Sequence, residues 1–117
     1  LARITSDFWV SAHLRLCALN GIDAVLRRRG AAEAGAIFVA LDRLDGSADL
    51  YGPAPPSFDG EERGGRVFAP VLRGATPLDI EARMQRELKF DPDLWWIAID
   101  DREGRSLLDI TGTDGAA

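Results

Sequence analysis

Phe90-Asp91-Pro92-Asp93-Leu94-Trp95-Trp96-Ile97-Ala98-Ile99-Asp100-Asp101 contains the most hydrophobic run in the chain. From Leu94 to Ile99 both alternating sets are apolar, Leu94, Trp96 and Ala98 on one side and Trp95, Ile97 and Ile99 on the other. A strand with that composition must be covered on both faces, so it belongs inside a sheet and not at its edge. A buried helix fits the flanks poorly, because Pro92 and Gly104 fence the run too closely. Asp91-Pro92-Asp93 opens the strand with a turn. Asp100-Asp101-Arg102-Glu103-Gly104 then closes it into a short loop, which predicts a C-terminal hairpin with residues 106–110 returning beside 94–100.

Working outward, the upstream flank is a helix. Thr76 is a cap, Pro77 occupies the first helical position, and Asp79 completes a capping-box arrangement. Ile80, Met84 and Leu88 then stack at four-residue spacing on one face, with Arg86 and Lys89 near the C-terminus, where the helix dipole favours cations. Residues 66–73 read as a strand that Pro70 confines to an edge or a bulge. Before it, residues 52–65 shift to Pro, Gly and charge, a long loop of the kind that is either functional or disordered. Residues 36–41 and 47–51 read as two strands joined through Asp42-Arg43-Leu44-Asp45-Gly46, which carries Asp-Gly hairpin chemistry.

The N-terminal third is less decided. Ser6 or Asp7 caps a first helix from Phe8, which Asn20-Gly21 ends. Its apolar surface is wide: Phe8, Trp9, Ala12, Leu16 and Leu19 fill one arc, and Val10, Leu14 and Cys17 fill a second. Such a helix either lies deep in the domain or shares a face with another subunit. Residues 22–29 fit a strand or a helical continuation, with strand preferred. Residues 31–35 are small and flexible, and the tail from Thr111 to Ala117 lacks an anchor.

The chain of 117 residues is long enough for one core and too short for two. The expected architecture is a single α+β domain over residues 1–117, with a mostly antiparallel sheet of about five strands (36–41, 47–51, 66–72, 94–100 and 106–110) and two main helices. One cysteine, Cys17, allows neither an internal disulfide nor a cysteine zinc site, which suits a reducing cytoplasm. No apolar run is long enough to span a membrane, and the first residues lack the pattern of a secretory signal. A net charge of −5 argues against a general nucleic-acid binder. Thirteen of the fourteen basic residues are Arg, which reads as coding bias before it reads as chemistry.

The Arg-Arg-Gly before Ala34-Gly35-Ala36-Ile37, the Leu50-Tyr51-Gly52-Pro53 segment, and Arg86-Glu87 leading into Asp91-Pro92-Asp93-Leu94-Trp95 together resemble an alphaproteobacterial family catalogued as domain of unknown function 1491. The resemblance runs from Phe8-Trp9-Val10 to Leu108-Asp109 and implies one complete bacterial cytosolic domain. It implies no reaction, cofactor or partner.

Three groupings bear on function. Arg27, Arg28 and Arg29 before Gly30 form the only basic run, and guanidinium groups beside small residues suit an anion. Asp100 and Asp101 end the central strand, while Glu87, Asp91 and Asp93 lie near its start. A six-residue strand keeps the two acidic groups on the order of 20 Å apart, too far to share one metal ion. His13 and Cys17 share a side of the first helix, but two ligands are too few for a structural zinc, so a packed cysteine beside a partly exposed histidine is expected. No nucleotide-binding glycine pattern and no catalytic triad spacing is present. The expected function is a non-catalytic binding or interaction module without a cofactor or metal. Its expected partners are a small anionic ligand at Arg27–Arg29, a protein, or a second copy in a homodimer. The alternative is a small hydrolase-like or metal-dependent enzyme using Asp100 and Asp101.

Overall fold

The computed structural model describes residues 4–55 and 66–111. In chain order these form α1 (Ser6–Leu19), β1 (Asp23–Arg28), β2 (Ile37–Asp42), β3 (Ala48–Pro53), β4 (Phe68–Ala75), α2 (Pro77–Phe90) and β5 (Trp95–Asp100). One five-stranded sheet runs β1-β5-β2-β3-β4. β5 pairs antiparallel with β1 and parallel with β2, and β2-β3-β4 is an antiparallel meander. The architecture is α+β with two helices among the described residues, and β5 is an interior strand.

Both faces of β5 are covered, as its composition demands. Trp95, Ile97 and Ile99 pack with Val10, Cys17, Val39 and Phe68 under α1. Leu94 and Trp96 pack with Phe38, Leu50, Ile80 and Met84 under α2. α2 is also the crossover that returns the chain so that β5 lies parallel to β2. Its start is the expected capping box: Asp79 N donates to Thr76 Oγ1 at 3.1 Å, and Thr76 N donates to Asp79 Oδ2 at 3.2 Å. β4 is the far edge strand and tolerates Pro70, which stands opposite Tyr51 beside a register irregularity.

The C-terminal hairpin does not form. The neighbour of β5 on that side is β1, and residues 104–109 are not a strand; only Ile110 makes an isolated bridge, to Phe68. Gly104 (φ 73°) and Leu107 (φ 60°) turn the backbone into the left-handed region, which ends any extended run. The Asp101 carboxylate then takes the backbone N–H of Arg105 at 2.8 Å, curling the loop on itself.

The segment at 30–35 is pinned, not flexible. Ala31 N donates to Asp93 O, and the Trp95 indole donates to Ala31 O, each at 2.8 Å. A Cβ on Gly30 would overlap the Asp93 carbonyl oxygen, so only glycine allows this approach. The same segment caps α1. Ser6 N donates to Glu33 O at 3.0 Å and Asp7 N to Ala32 O at 2.9 Å, so loop carbonyls satisfy the helix's first orphan donors. The cap position is Thr5, one residue before the expected Ser6 or Asp7, and its side chain makes no capping bond.

α1 is not deep in the domain. It buries Ser6, Val10, His13 and Cys17, while Phe8, Leu16 and Leu19 remain exposed. β3 continues through Pro53, two residues into the stretch expected as loop. The rest of that expectation, at 56–65, and most of the expected loose tail, at 112–117, lie outside the described residues.

Candidate functional site

Cross-strand register builds the most distinctive surface. Asp23 on β1 faces Asp100 on β5, and Asp100 faces Asp42 on β2. Direct cross-strand partners project from the same face of a sheet, so the three carboxylates form one row across three strands. The next row on that face is Val25, Ala98 and Ala40. Trp96 follows, with a bulge in β1 between Leu26 and Arg28. α2 covers only part of this face, and a groove of about 120 Å³ opens between its first turns (Pro77, Ile80, Glu81) and the sheet. Arg27, Trp96, Ala98, Asp42 and Asp100 also line it. Arg27 closes one side, its Nη2 reaching Glu81 Oε2 at 3.0 Å while its guanidinium lies over the Trp96 ring.

The acidic row is poorly compensated. Asp42 Oδ1 accepts Leu44 N at 2.8 Å, but among the described residues the carboxylates of Asp23 and Asp100 accept neither a hydrogen bond nor an ion pair. The Asp100 carboxyl is shifted above its ordinary range, first by partial burial and then by Asp42 and Asp23. No group of three or more such residues among those described has metal-binding geometry.

Asp101 lies apart from this row. It is buried, its Oδ1 takes Arg105 Nη2 at 2.8 Å, and its Oδ2 takes Arg105 Nε at 3.0 Å. These bonds hold its carboxyl down at about 2. Arg105 Nη1 in turn donates to Asn20 O at 3.5 Å, which puts the pair at the C-terminal end of α1; Asp101 also raises the Cys17 thiol, behind the larger effect of burial. Asp100 and Asp101 are therefore adjacent in sequence and separated in space by their environments.

The structure disperses the arginine run. Arg27 is with Glu81 and Trp96, Arg28 donates to Pro92 O at 2.7 Å, and the Arg29 guanidinium lies 5.2 Å from the Trp95 ring centroid. Trp96 packs under α2 and Trp95 under α1, so the run does not converge on one point. His13 is buried, not partly exposed. Its ring stacks on Trp9 with centroids 4.6 Å apart, and Nε2 donates to Ser106 O at 2.9 Å, which fixes the tautomer and ties α1 to the C-terminal segment. Cys17 is fully buried.

Two groupings escaped the reading of the sequence. The acidic row depends on strand order, since Asp23, Asp42 and Asp100 share no spacing. The other is Asp49, which is buried, is ion-paired with Arg43, and accepts Gly74 N through its Oδ1 at 2.8 Å. Its signal was present in part, as an acidic residue at an inward position of an apolar strand.

Residues 4–109 match the family model DUF1491, a protein of unknown function. The chain belongs to the DUF1491 family. Its fold is that of solved relatives from two alphaproteobacteria. Protein Atu0922 from A. tumefaciens, known from its solution structure, is 39% identical over 98% of this chain and 100% of that one, with a TM-score of 0.82. A DUF1491 family protein from Caulobacter crescentus CB15, known from a crystal structure, is 32% identical over 95% of this chain and 100% of its own, with a TM-score of 0.78. An NMR structure of a DUF1491 family protein from the same organism gives 32% identity, 96% and 100% coverage, and the same TM-score. No curated protein matches the chain. DUF1491 membership supports a bacterial origin. No helix among the described residues is long and apolar enough to cross a membrane.

Proposed function

We propose that this DUF1491 protein is a small non-catalytic binding or interaction module whose recognition surface is the open sheet face beside α2. The observation that carries this reading is the row Asp23-Asp100-Asp42, two of whose carboxylates have no partner among the described residues. Like charges in directly opposed strand positions are unfavourable. An apolar floor with Val25 52% exposed, fenced by uncompensated carboxylates, is complementary to a positively charged group on a partner. The enzyme reading has less behind it, since the one histidine and the one cysteine are packed and Asp101 is locked to Arg105. A cytoplasmic setting suits the buried free thiol of Cys17.

Amide chemical shifts during titration with a short lysine-rich peptide test the surface. Movement at Asp23, Val25, Ala98 and Asp100 that vanishes in Asp100→Asn supports it. Unmoved amides there, at low salt, dispose of it.

A second reading keeps an anion at the arginine run. Neither Arg28 nor Arg29 is ion-paired to a carboxylate among the described residues, and both lie beside Gly30. Thermal stabilisation by phosphate, sulfate or dicarboxylates at low salt, lost in Arg28→Ala, would support this site. Equal melting temperatures with and without these anions would end it.

A further inference from the structure

β1 pairs with β5 along one edge, and no described element pairs with the other. Open edges template further strands, and proteins guard them with charge and bulges. β1 carries both devices, a bulge before Arg28 and an arginine run. It also carries the complement of its own guard, because Asp23 stands on the same face as Arg27, at the other end of the strand. We propose that a second copy of this chain pairs antiparallel along β1, about a two-fold axis perpendicular to the sheet at Val25. The inference rests on the reading of the open sheet face as a recognition surface and names its partner.

The register follows from symmetry. Such an axis keeps every side chain on its own face, so a residue can oppose only a residue of the same face. The axis must therefore pass through a residue and not between two. On Ala24 it would set Asp23 against the partner's Val25, and on Leu26 it would set Val25 against the partner's Arg27. On Val25 it sets Val25 against the partner's Val25, and Asp23 against the partner's Arg27 at both ends. Two opposite-charge cross-strand pairs form, and the exposed apolar side chain at the centre is covered.

One occupant thus accounts for two separate observations. The partner's Arg27 reaches the outermost carboxylate of a row that lacks a cation, and the unpaired edge gains a neighbour. Each protomer's Arg27, now held against its own Glu81 and Trp96, swings outward or turns its remaining N–H donors to the other's acidic row. The same axis sets the two α1 helices side by side on the opposite face, since α1 packs over β1.

Charge reversal tests the pairing through sedimentation equilibrium, with circular dichroism confirming that each variant is folded. The wild type should dimerise with rising concentration from the micromolar range upward. Asp23→Arg alone opposes arginines, and Arg27→Asp alone opposes aspartates, so each should weaken self-association by at least roughly tenfold. An equimolar mixture of the two should regain the dimer, because the mixed pair restores both contacts. Should either variant fold poorly, Val25→Lys, which sets two lysines against each other on the axis, should likewise give a monomer. Single variants that associate like wild type, a mixture that stays monomeric, or a wild type monomeric at submillimolar concentration would each overturn the dimer. If the dimer fails while the lysine-rich peptide still shifts Asp23 and Ala98, the recognition surface stands without it; if both fail, both readings fall.

Discussion

The guanidinium of Arg27 lies 4.0 Å from the centroid of the Trp96 ring, and its Nη2 makes the 3.0 Å ion pair with Glu81 that ties the edge strand to α2. Both partners of that ion pair are about two-fifths exposed, so the pair alone contributes little. Stacking on a buried indole adds more, because the ring is held fixed beneath the cation. Arg27→Ala should cost about 1 kcal/mol and red-shift tryptophan emission as Trp96 gains solvent. Arg27→Lys should retain part of the stability and less of the stacking. Urea denaturation followed by fluorescence checks both.

Gly30→Ala should be severe for its size. The added methyl meets the Asp93 carbonyl and the Leu94 backbone, neither of which can move without disturbing the start of β5. A loss of about 2 kcal/mol or more is expected, against a few tenths for a surface alanine. Because residues 31–35 also supply the carbonyls that cap α1, hydrogen exchange at the amides of Ser6 and Asp7 should accelerate in the same variant.

His13 sets a pH dependence. Burial pushes its folded pKa below the ordinary value of 6.5, with the Ser106 carbonyl opposing in part. The unfolded chain therefore takes up the proton first, so this contribution is complete above the unfolded pKa and is lost as pH falls below it toward the folded value. The melting temperature should drop between neutral and mildly acidic pH. His13→Gln, which can still donate to Ser106, should flatten that dependence. A slope unchanged by the substitution would show that another group is responsible.

Asp100 acts with the opposite sign. Its folded pKa is raised, so the folded state binds the proton more readily and stability from this group rises as pH falls through that raised value. At neutral pH Asp100→Asn should stabilise the monomer by a few tenths of a kcal/mol, up to about 1, by relieving the repulsion from Asp23 and Asp42. The part of the gain that comes from Asp23 and Asp42 should shrink in high salt, because solvent reaches the residue, while the part that comes from partial burial should not. Thermal melts at low and high ionic strength distinguish this from a change in packing.

Local chemistry determined a large part of this protein. Two apolar faces made Leu94–Ile99 an interior strand, the Thr76–Asp79 box started α2, and the Asp45-Gly46 turn joined β2 to β3, since each of these depends on neighbours within a few residues. Which strand lies beside β5 was not local. The sequence pointed to 106–110, and β1 took that place instead because the left-handed turns at Gly104 and Leu107, together with the Asp101 clasp on Arg105, keep the C-terminal segment from running extended. The burial of His13 against Trp9 and Ser106 likewise required the C-terminal segment to pack against α1, a contact between residues 93 apart. The candidate site was the least legible of all. Asp23, Asp42 and Asp100 are distant in sequence, and only the parallel register of β2 on β5 and the antiparallel register of β1 on β5 place their charges in one row. Sequence patterns report which way a side chain points along its own strand; which residues stand opposite it is decided by the hydrogen-bonded ladder, and that exists only in the folded sheet.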